Sequence, residues 1–323
     1  MKLSVVIPCY NEAAGIYETH RRIADVCRRC VSEAYELVLV NDGSTDSTWN
    51  LIAAIAAGDR HVVAVNLSRN YGHQLALSAG LQLSRGERVL IIDADLQDPP
   101  ELLAKMMERM DDGYDVVYGT RIKRQGETAF KKASARAFYR VLEKLVEIKI
   151  PTDAGDFRLI SRRAVDILNN MPEHHRFIRG MVSWIGLRQA ALPYERAARF
   201  AGETKYPFSK MVGLAIVAIT GFSVRPLRIA AHLGFYFSLA TFVLMGYIII
   251  NYFSGHNITG WTSLALIILA ASSVQLIVIG VMGEYMGQIY IESKRRPLFL
   301  IQDIISSGEP VKDINQQSTA GIK

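Results

Sequence analysis

Cysteine is scarce in this chain, with only Cys9, Cys27 and Cys30 among 323 residues. An odd and low count excludes a disulfide-stapled extracellular scaffold and indicates a reducing compartment. Cys27 and Cys30 form a single CxxC in a predicted helix, whereas a redox or metal role would require a second pair or a thioredoxin-like context. We therefore expect three ordinary thiols.

Two familiar classes of binding motif are missing as well. No GxGxxG follows the first predicted strand, which excludes the fingerprint of a dinucleotide-dependent oxidoreductase. No nucleic-acid recognition module is recognisable either, so we expect no nucleic-acid partner. The 37 Lys and Arg residues exceed the 31 Asp and Glu residues, and this basic balance favours other anions, such as lipid head groups or phosphorylated substrates.

The N-terminus lacks the apolar core of a secretory signal peptide. The segment "MKLSVVIP" offers five apolar or small residues before Pro8, whereas a signal peptide needs an apolar run of about 7–15 residues. The first domain is therefore expected in the cytoplasm.

Charge is absent from two long stretches near the C-terminus, 229–253 and 260–283. Each exceeds the roughly 20 residues that cross a bilayer, and we predict transmembrane helices at 229–253 and 260–286. Basic residues precede the first and follow the second, and the turn between them has no Lys or Arg, so both outer ends are predicted to be cytoplasmic. The apolar run 211–224 is shorter and favours an interfacial helix.

Before these stretches, short β-branched runs alternate with amphipathic segments up to about residue 118. This alternation predicts a doubly wound α/β domain with a mostly parallel, Rossmann-like sheet. The predicted strands are Leu3–Pro8, Tyr35–Asn41, His61–Leu67, Arg88–Asp93 and Asp115–Gly119, and predicted helices include Ala13–Cys30, Ser47–Ala57 and Pro100–Met110.

The segment 121–140 carries seven basic residues and one acid. It leads into apolar residues at helical spacing, which predicts a basic amphipathic helix at about 130–149 lying on an anionic membrane surface. The alternative is a solvated helix packed on the sheet. After the predicted spans, "PLFLIQDII" favours a strand that pairs with a neighbour, within a cytoplasmic C-terminal segment at 290–323.

Polar clusters follow three of the predicted strands: "PCYNE", "NDGSTD" and "DADLQD". All three lie at carboxyl ends of strands, where open α/β sheets bind ligands. If the fourth strand stays extended, Asp93 and Asp95 share a face and suit a hard divalent cation that holds a nucleotide diphosphate. Asp42 could accept hydrogen bonds from a base, and Gly43 would allow close backbone approach. Turns and helix caps are the alternative reading of these clusters.

Residues 1 to about 210 resemble a known family. The resemblance rests on these clusters together with "LSRNYGHQLALSAGL", "GTR", "DAGDFRLI" and "FIRGMVSWIG", in that order. The family is the inverting GT-A glycosyltransferases that load a sugar onto a polyisoprenyl phosphate, such as bactoprenol glucosyltransferases and dolichol-phosphate mannose synthases. The Gln-x-x-Arg-Trp signature of processive polysaccharide synthases is absent, and "FIRGMVSW" stands in its region.

The resemblance implies a role for each matching residue. Pro8, Tyr10, Glu12, Asp42 and Asp93 would bind the nucleotide, and Asp95 and Gln97 would hold Mg²⁺ or Mn²⁺. Arg121, Lys131, Lys132, Ser134 and Arg136 would bind the lipid phosphate, and Arg199 and Lys205 would close over the donor diphosphate. Asp156 is the candidate base or orienting carboxylate.

The acceptor chemistry limits the role of Asp156. A phosphate monoester has a second pKa of about 6 and is largely a competent oxyanion at neutral pH, so Asp156 is expected mainly to position groups near the anomeric carbon. No zinc-like spacing surrounds His73, His174 or His175, which we interpret as structural.

We therefore expect transfer of a hexose with inversion to undecaprenyl phosphate at the bacterial inner membrane, for O-antigen or other surface glycan modification. UDP-glucose is the favoured donor; GDP-mannose and a UDP-aminoarabinose derivative are alternatives. A non-catalytic nucleotide-sugar-binding regulator is the rival class. Membrane lipids are expected partners, and self-association through the membrane helices is expected.

Overall fold

A computed structural model describes residues 1–122, 154–195, 220–221, 223–254 and 260–307. Strands lie at Leu3–Cys9 (β1), Tyr35–Asn41 (β2), Val62–Leu67 (β3), Arg88–Ile91 (β4), Val116–Arg121 (β5), Ala154–Ser161 (β6), Gln189–Tyr194 (β7) and Ile301–Ser306 (β8). Helices lie at Ile16–Val31 (α1), Thr48–Gly58 (α2), His73–Leu83 (α3), Leu103–Asp111 (α4), Arg162–Asn170 (α5), Ile178–Ile185 (α6), Arg225–Phe253 (α7) and Trp261–Ser293 (α8).

All eight strands form one sheet in the order β7-β5-β6-β4-β1-β2-β3-β8. The central strands β4, β1, β2 and β3 are parallel, and β7 is parallel to β5, whereas β6 and β8 run antiparallel to their neighbours. The chain order reverses between β1 and β4, because β1 has β2 on one side and β4 on the other. Ligands of open α/β sheets bind at the carboxyl ends of such a pair.

The central strands form because their sequences are nearly continuous apolar runs, rich in β-branched residues. Every residue of β1, β2 and β3 is buried, as expected of strands that are covered on both faces. Helix α3 packs closely on this sheet at Gly80, where a Cβ atom would overlap the side chain of Val6 on β1. The predicted α/β architecture with a mostly parallel sheet is confirmed.

Strand β8 closes one edge of the sheet by pairing antiparallel with β3. The predicted strand in "PLFLIQDII" is therefore present, and its partner is a strand of the same chain. Asn66 of β3 donates its side-chain amide to Asp303 Oδ2 at 3.1 Å and accepts from the Asn41 amide at 2.8 Å. This polar ladder fixes the register of the C-terminal strand against the domain.

A buried polar cluster stabilises the opposite, amino-terminal end of the strands. The Glu36 carboxylate of β2 is 1% exposed and accepts hydrogen bonds from Ser4 Oγ at 2.6 Å and from the backbone N–H of Arg85 at 2.7 Å. The Arg85 guanidinium also pairs with it, with Nε at 2.9 Å and Nη2 at 2.8 Å from Oε2. Glu36 thereby joins β1, β2 and the loop that precedes β4.

The described residues form two compact units. The first contains the sheet and its helices, residues 1–122, 154–195 and 296–307, and the second contains residues 220–221, 223–254 and 260–295.

In the second unit, α7 and α8 contact each other, and both are long and apolar enough to cross a membrane. Their large apolar side chains are exposed, including Phe242, Val243 and Leu276. These helices begin and end near the predicted spans 229–253 and 260–286. The predicted interfacial helix 211–224 lies almost entirely outside the described residues.

Candidate active site

Two loops at the carboxyl end of the sheet are joined by direct hydrogen bonds. The backbone N–H of Asn11, after β1, donates to Ser44 Oγ at 3.0 Å, and Asn11 Oδ1 accepts from the N–H of Thr45 at 2.9 Å. The N–H of Glu12 donates to Thr48 Oγ1 at 2.9 Å. The clusters "PCYNE" and "NDGSTD" therefore share one edge of the crevice.

The predicted nucleotide-binding residues of the first loop differ in exposure. Pro8 is buried within β1, Glu12 is half-buried, and Tyr10 is 40% exposed. An exposed aromatic ring at the end of a central strand is available to stack on a planar ligand. Their nucleotide contacts stay predictions.

Asp42, at the end of β2, is buried and holds the loop before α3. Its carboxylate accepts from the N–H of Tyr71 at 2.7 Å and from the N–H of Gly72 at 3.0 Å. Burial raises the pKa of Asp42 in spite of these two bonds, which favour the ionised form. Asp42 thus organises the site from within, and a contact with the base stays a prediction.

Gly43 follows Asp42 with φ +61 and lies directly against the backbone of Arg69 and Asn70, where a Cβ atom would overlap main-chain atoms. Both the positive φ and the close approach require glycine. The close backbone contact predicted at Gly43 is therefore made with this protein's own β3–α3 loop.

Replacing Gly43 by alanine is expected to displace the 69–72 loop, because a non-glycine residue at positive φ already costs about 1–3 kcal/mol. We expect the displaced loop to weaken UDP binding about tenfold, a change of about 1.4 kcal/mol. Calorimetric titration with UDP measures the effect. Gly58→Ala is the matched control, since nothing lies within 4 Å of its Cβ position. Unchanged UDP affinity in Gly43→Ala would show that this contact does not support the nucleotide site.

The acidic loop after β4 is a turn rather than a continued strand. Strand β4 ends at Ile91, two residues earlier than predicted, and Leu96 adopts φ 54. Thr19 Oγ1 of α1 donates to the carbonyl of Ala94 at 2.7 Å, and the N–H of Gln97 donates to Asp95 Oδ1 at 3.1 Å. The argument from an extended strand is therefore wrong for Asp93 and Asp95, and these bonds fix the loop instead.

Asp93 presents a buried carboxylate oxygen that has no hydrogen-bond partner among the described residues, namely Oδ1. Burial raises the pKa of Asp93, the acids Asp156, Asp98 and Asp95 raise it further, and His73 opposes them. The charged partner of this oxygen among the described residues is His73, whose Nε2 lies 3.5 Å away, beyond the usual hydrogen-bond distance.

The loop fits a divalent cation by the chemistry of its donors. Asp95 and Gln97 offer the hard oxygen ligands that Mg²⁺ prefers, and this ion commonly takes one or two carboxylates and completes its shell with water and phosphate. No group of three or more His, Cys, Asp or Glu side chains arranged for a metal occurs in the part of the chain that the structure describes.

Asp156, on β6, is the most heavily bonded carboxylate of the site. It is 5% exposed and receives Arg179 Nε of α6 at 2.8 Å on Oδ1 and Arg179 Nη2 at 3.2 Å on Oδ2. The Gln74 amide of α3 donates to Oδ2 at 3.2 Å, and His73 Nε2 lies 3.3 Å from the same oxygen. Burial acts to raise the pKa of Asp156, but Arg179 and His73 outweigh it and hold the pKa well below its ordinary value.

Three of these partners, His73, Gln74 and Arg179, are functional candidates that the sequence prediction did not assign. His73 was interpreted as structural, yet it lies between Asp156 and Asp93, with Nε2 3.5 Å from Asp93 Oδ1. All three fall inside the motifs "LSRNYGHQLALSAGL" and "FIRGMVSWIG", which was the available signal. His174 has a different environment, with Nε2 2.6 Å from the carbonyl oxygen of Arg296.

Arg121, predicted to bind the lipid phosphate, is held at the end of β5 by two buried side chains. Its Nε donates to the Tyr194 hydroxyl at 3.3 Å, and Nη2 lies 3.7 Å from Asp98 Oδ1. The Tyr194 hydroxyl donates to the same Asp98 oxygen, and burial together with Asp98 raises the pKa of Tyr194 to about 12. Asp98 thus orients Arg121.

Six predicted site residues lie outside the described residues. They are Lys131, Lys132, Ser134 and Arg136, assigned to the lipid phosphate, and Arg199 and Lys205, assigned to the donor diphosphate. The predicted basic helix at 130–149 lies outside them as well.

A family model described as Glycosyl transferase family 2 matches residues 4–168, which include β1–β5, β6, the acidic loop and Asp156. The chain belongs to glycosyl transferase family 2. The predicted GT-A fold and glycosyltransferase activity are thereby confirmed, and the crevice at the carboxyl ends of β1, β2 and β4 is the candidate active site of a family 2 glycosyltransferase.

Relatives match this family 2 glycosyltransferase along almost its whole length. An uncharacterized glycosyltransferase of Bacillus subtilis (strain 168), YkcC, is 45% identical over 303 residues and covers 94% of both chains. The bactoprenol glucosyl transferase of Shigella phage SfV is 39% identical, covering 94% of this chain and 99% of the relative. A prophage bactoprenol glucosyl transferase homolog of Escherichia coli (strain K12) is 38% identical with the same coverage.

Among solved structures, mannosyl-3-phosphoglycerate synthase from Rubrobacter xylanophilus is 17% identical, with a TM-score of 0.48, and covers 72% of this chain and 75% of its own.

Proposed function

We propose that this family 2 glycosyltransferase transfers a hexose with inversion from a nucleotide sugar to undecaprenyl phosphate, and that the donor is UDP-glucose. The observation that carries the proposal is the full-length match to relatives named bactoprenol glucosyl transferase, which extends through the C-terminal helices as well as the catalytic domain. The product would serve the modification of O-antigen or another surface glycan.

The state of Asp156 supports a phosphate acceptor. A carboxylate whose pKa is held well below the ordinary value is a weak base, as expected if it orients groups rather than removing a proton. A phosphate monoester is largely dianionic at neutral pH, so its oxygen attacks the anomeric carbon without a strong base. By contrast, a sugar hydroxyl acceptor would need proton removal by a better base.

Departure of the nucleoside diphosphate is then the step that needs stabilisation. Asp95 and Gln97 would hold Mg²⁺ or Mn²⁺, which would supply positive charge to the diphosphate. The residues of this chain would position the reactants: Tyr10, Glu12 and Asp42 on the nucleoside side and Arg121 on the acceptor side. Arg199 and Lys205 would add cationic groups over the diphosphate.

Chain connectivity supports a catalytic domain on one side of the membrane with α7 and α8 as a hairpin of two spans. Strand β8 follows α8, yet it pairs with β3 in the sheet that precedes α7. One folded sheet contains chain segments that precede and that follow the helix pair in the sequence, so in a membrane both ends of that pair would face the compartment of the domain. Arg225, Arg228 and the basic run 294–296 flank these ends, which favours the cytoplasmic face of the inner membrane.

The test is transfer of labelled hexose from UDP-glucose, UDP-galactose or GDP-mannose to undecaprenyl phosphate by the purified full-length protein. We expect a lipid-linked product from UDP-glucose alone, loss of product with a chelator, and recovery when Mg²⁺ or Mn²⁺ is restored. Undecaprenol without its phosphate is the matched control acceptor and should give no product. A product from another donor would replace UDP-glucose, and nucleotide binding without any transfer would favour a regulatory protein.

A further inference from the structure

His73 is the first residue of α3 and lies between two carboxylates that come from distant parts of the chain. Its Nε2 atom is 3.5 Å from Asp93 Oδ1 in the acidic loop and 3.3 Å from Asp156 Oδ2 on β6. Its side chain is about one third exposed. A single ring nitrogen therefore contacts both the donor side and the acceptor side of the proposed reaction.

The backbone before His73 is fixed independently of these contacts. The N–H groups of Tyr71 and Gly72 are held by buried Asp42, and Gly72 turns the chain into α3 with φ 93. The backbone that carries the imidazole is thus a fixed helix end, and it does not depend on the two carboxylates for its position.

The residue after His73 ties the start of α3 to neighbouring elements. The Gln74 side chain donates to Asp156 Oδ2 at 3.2 Å and accepts from the N–H of Ile178, at the start of α6, at 2.9 Å. The start of α3 is therefore tied to β6 and α6 as well as to β2, so His73 is preorganised between its carboxylates.

The charges around His73 explain why a bridge is needed. Asp156 has Arg179 as a second cationic partner, but among the described residues the one ion pair of Asp93 is with His73. Without a cation between them, the two carboxylates would repel each other in a partly dry crevice, where such interactions are strong. Burial disfavours the charged imidazolium, yet the two carboxylates raise the pKa of His73 to about 9, so the ring is cationic at neutral pH.

We propose that His73 is a positioning residue whose imidazolium bridges Asp93 and Asp156 and keeps the donor-binding and acceptor-orienting carboxylates in one arrangement during transfer. The roles of the two carboxylates rest on the proposed function, whereas the bridge itself rests on the geometry. His73 acts through Asp93 and Asp156 and needs no contact with either substrate.

The kinetic test compares His73→Ala, His73→Gln and His73→Lys in the full-length protein. A misplacement of about 1 Å costs about 100-fold in rate, so we expect kcat to fall about 10- to 100-fold in the Ala and Gln variants, with KM for the nucleotide sugar changed less than about threefold. His73→Lys restores the charge and is expected to recover to within about tenfold of wild type. His20→Gln is the matched control, because His20 also pairs with a carboxylate, Asp59, at 2.9 Å, on α1.

Each other kinetic outcome contradicts the bridge. Wild-type rates in His73→Ala would leave His73 without a role, and a change confined to KM would indicate direct substrate contact. Rescue by Gln instead of Lys would indicate a hydrogen bond rather than a charge.

A second measurement needs no turnover. Thermal unfolding of His73→Gln, Asp93→Asn and the double variant should show coupling, with the double variant losing less Tm than the sum of the two single losses. Additive losses would overturn the bridge even if transfer is observed. Coupling between the two substitutions, together with no transfer by the wild-type protein, would contradict the proposed reaction but support the bridge.

Discussion

Asp156→Asn is expected to retain transfer within about 100-fold of wild type, the cost of a modest misplacement, whereas Asp156→Ala is expected to lose about 1000-fold or more. Asparagine keeps an oxygen that accepts from Arg179 or Gln74, so the oriented framework survives. Alanine removes the acceptor that Arg179, Gln74 and His73 share in a partly dry site, and the loss of such a partner is costly. Initial rates on undecaprenyl phosphate at saturating donor measure the difference.

The pH profile distinguishes orientation from base catalysis. Because the pKa of Asp156 is held well below its ordinary value, this carboxylate stays ionised throughout the neutral range and should give no titration step there. The acid limb of kcat/KM should instead lie near pH 6, the second pKa of the acceptor phosphate, and should persist in Asp156→Asn. An Asn variant that binds UDP normally yet falls to the level of Ala would identify Asp156 as a general base. Asp25→Asn, on the exposed face of α1, is the control.

The central sheet was predictable because each strand has its own apolar pattern within a short segment of the sequence. Continuous β-branched runs such as Tyr35–Asn41 gave the strand without error at either end, and the polar clusters that follow these runs located the crevice. The end of β4 was not predictable in the same way. Its apolar run continues to Ile92, and the neighbouring residues contain no pattern that predicts the turn. In that turn the non-glycine residue Leu96 takes a positive φ.

The pairing of site residues was predictable only in part. The resemblance supplied Asp93 and Asp156 as candidates, but no local pattern tells which distant residues meet, and His73 has no sequence spacing that links it to either acid. Its contacts form only when β4 and β6 lie side by side and the start of α3 brings His73 next to Asp93 and Asp156. The partners of Asp98 were not predictable either, because its burial against Tyr194 is a tertiary contact.

The Glu36 cluster is likewise invisible in the sequence, because Glu36 occupies one position in an otherwise apolar strand. Its partners, Ser4 and Arg85, belong to β1 and to the loop before β4. A buried carboxylate at this position is tolerated only because all its bonds are made there. The same property makes it a sensitive site for stability, at the end of the sheet away from the proposed chemistry.

Glu36→Gln is expected to destabilise the domain by about 3 kcal/mol, the lower end of the cost of breaking a buried ion pair, because the amide that replaces one oxygen would face the N–H donors of Arg85. At about 2–4 °C per kcal/mol for a domain of this size, Tm should fall by about 6–12 °C. Arg85 is one third exposed and can partly hydrate, which keeps the loss from being larger. Thermal scans of wild type and variant at one scan rate measure the shift.

Glu101→Gln is the matched control for Glu36→Gln. Glu101 also makes a two-pronged pair with an arginine, Arg22, at 2.7 and 2.8 Å. The Glu101 side chain is 46% exposed, against 2% for Glu36, while the two arginines are equally exposed, and a solvent-exposed pair contributes about 0–1 kcal/mol. The two variants remove the same charge from the same kind of pair and differ in burial. If both lowered Tm equally, burial would not be the source of the stabilisation by Glu36, and the cluster would be a surface ion pair in effect. A large loss in Glu36→Gln with UDP affinity preserved would instead show that the amino-terminal end of the sheet maintains the fold while the carboxyl end carries the chemistry.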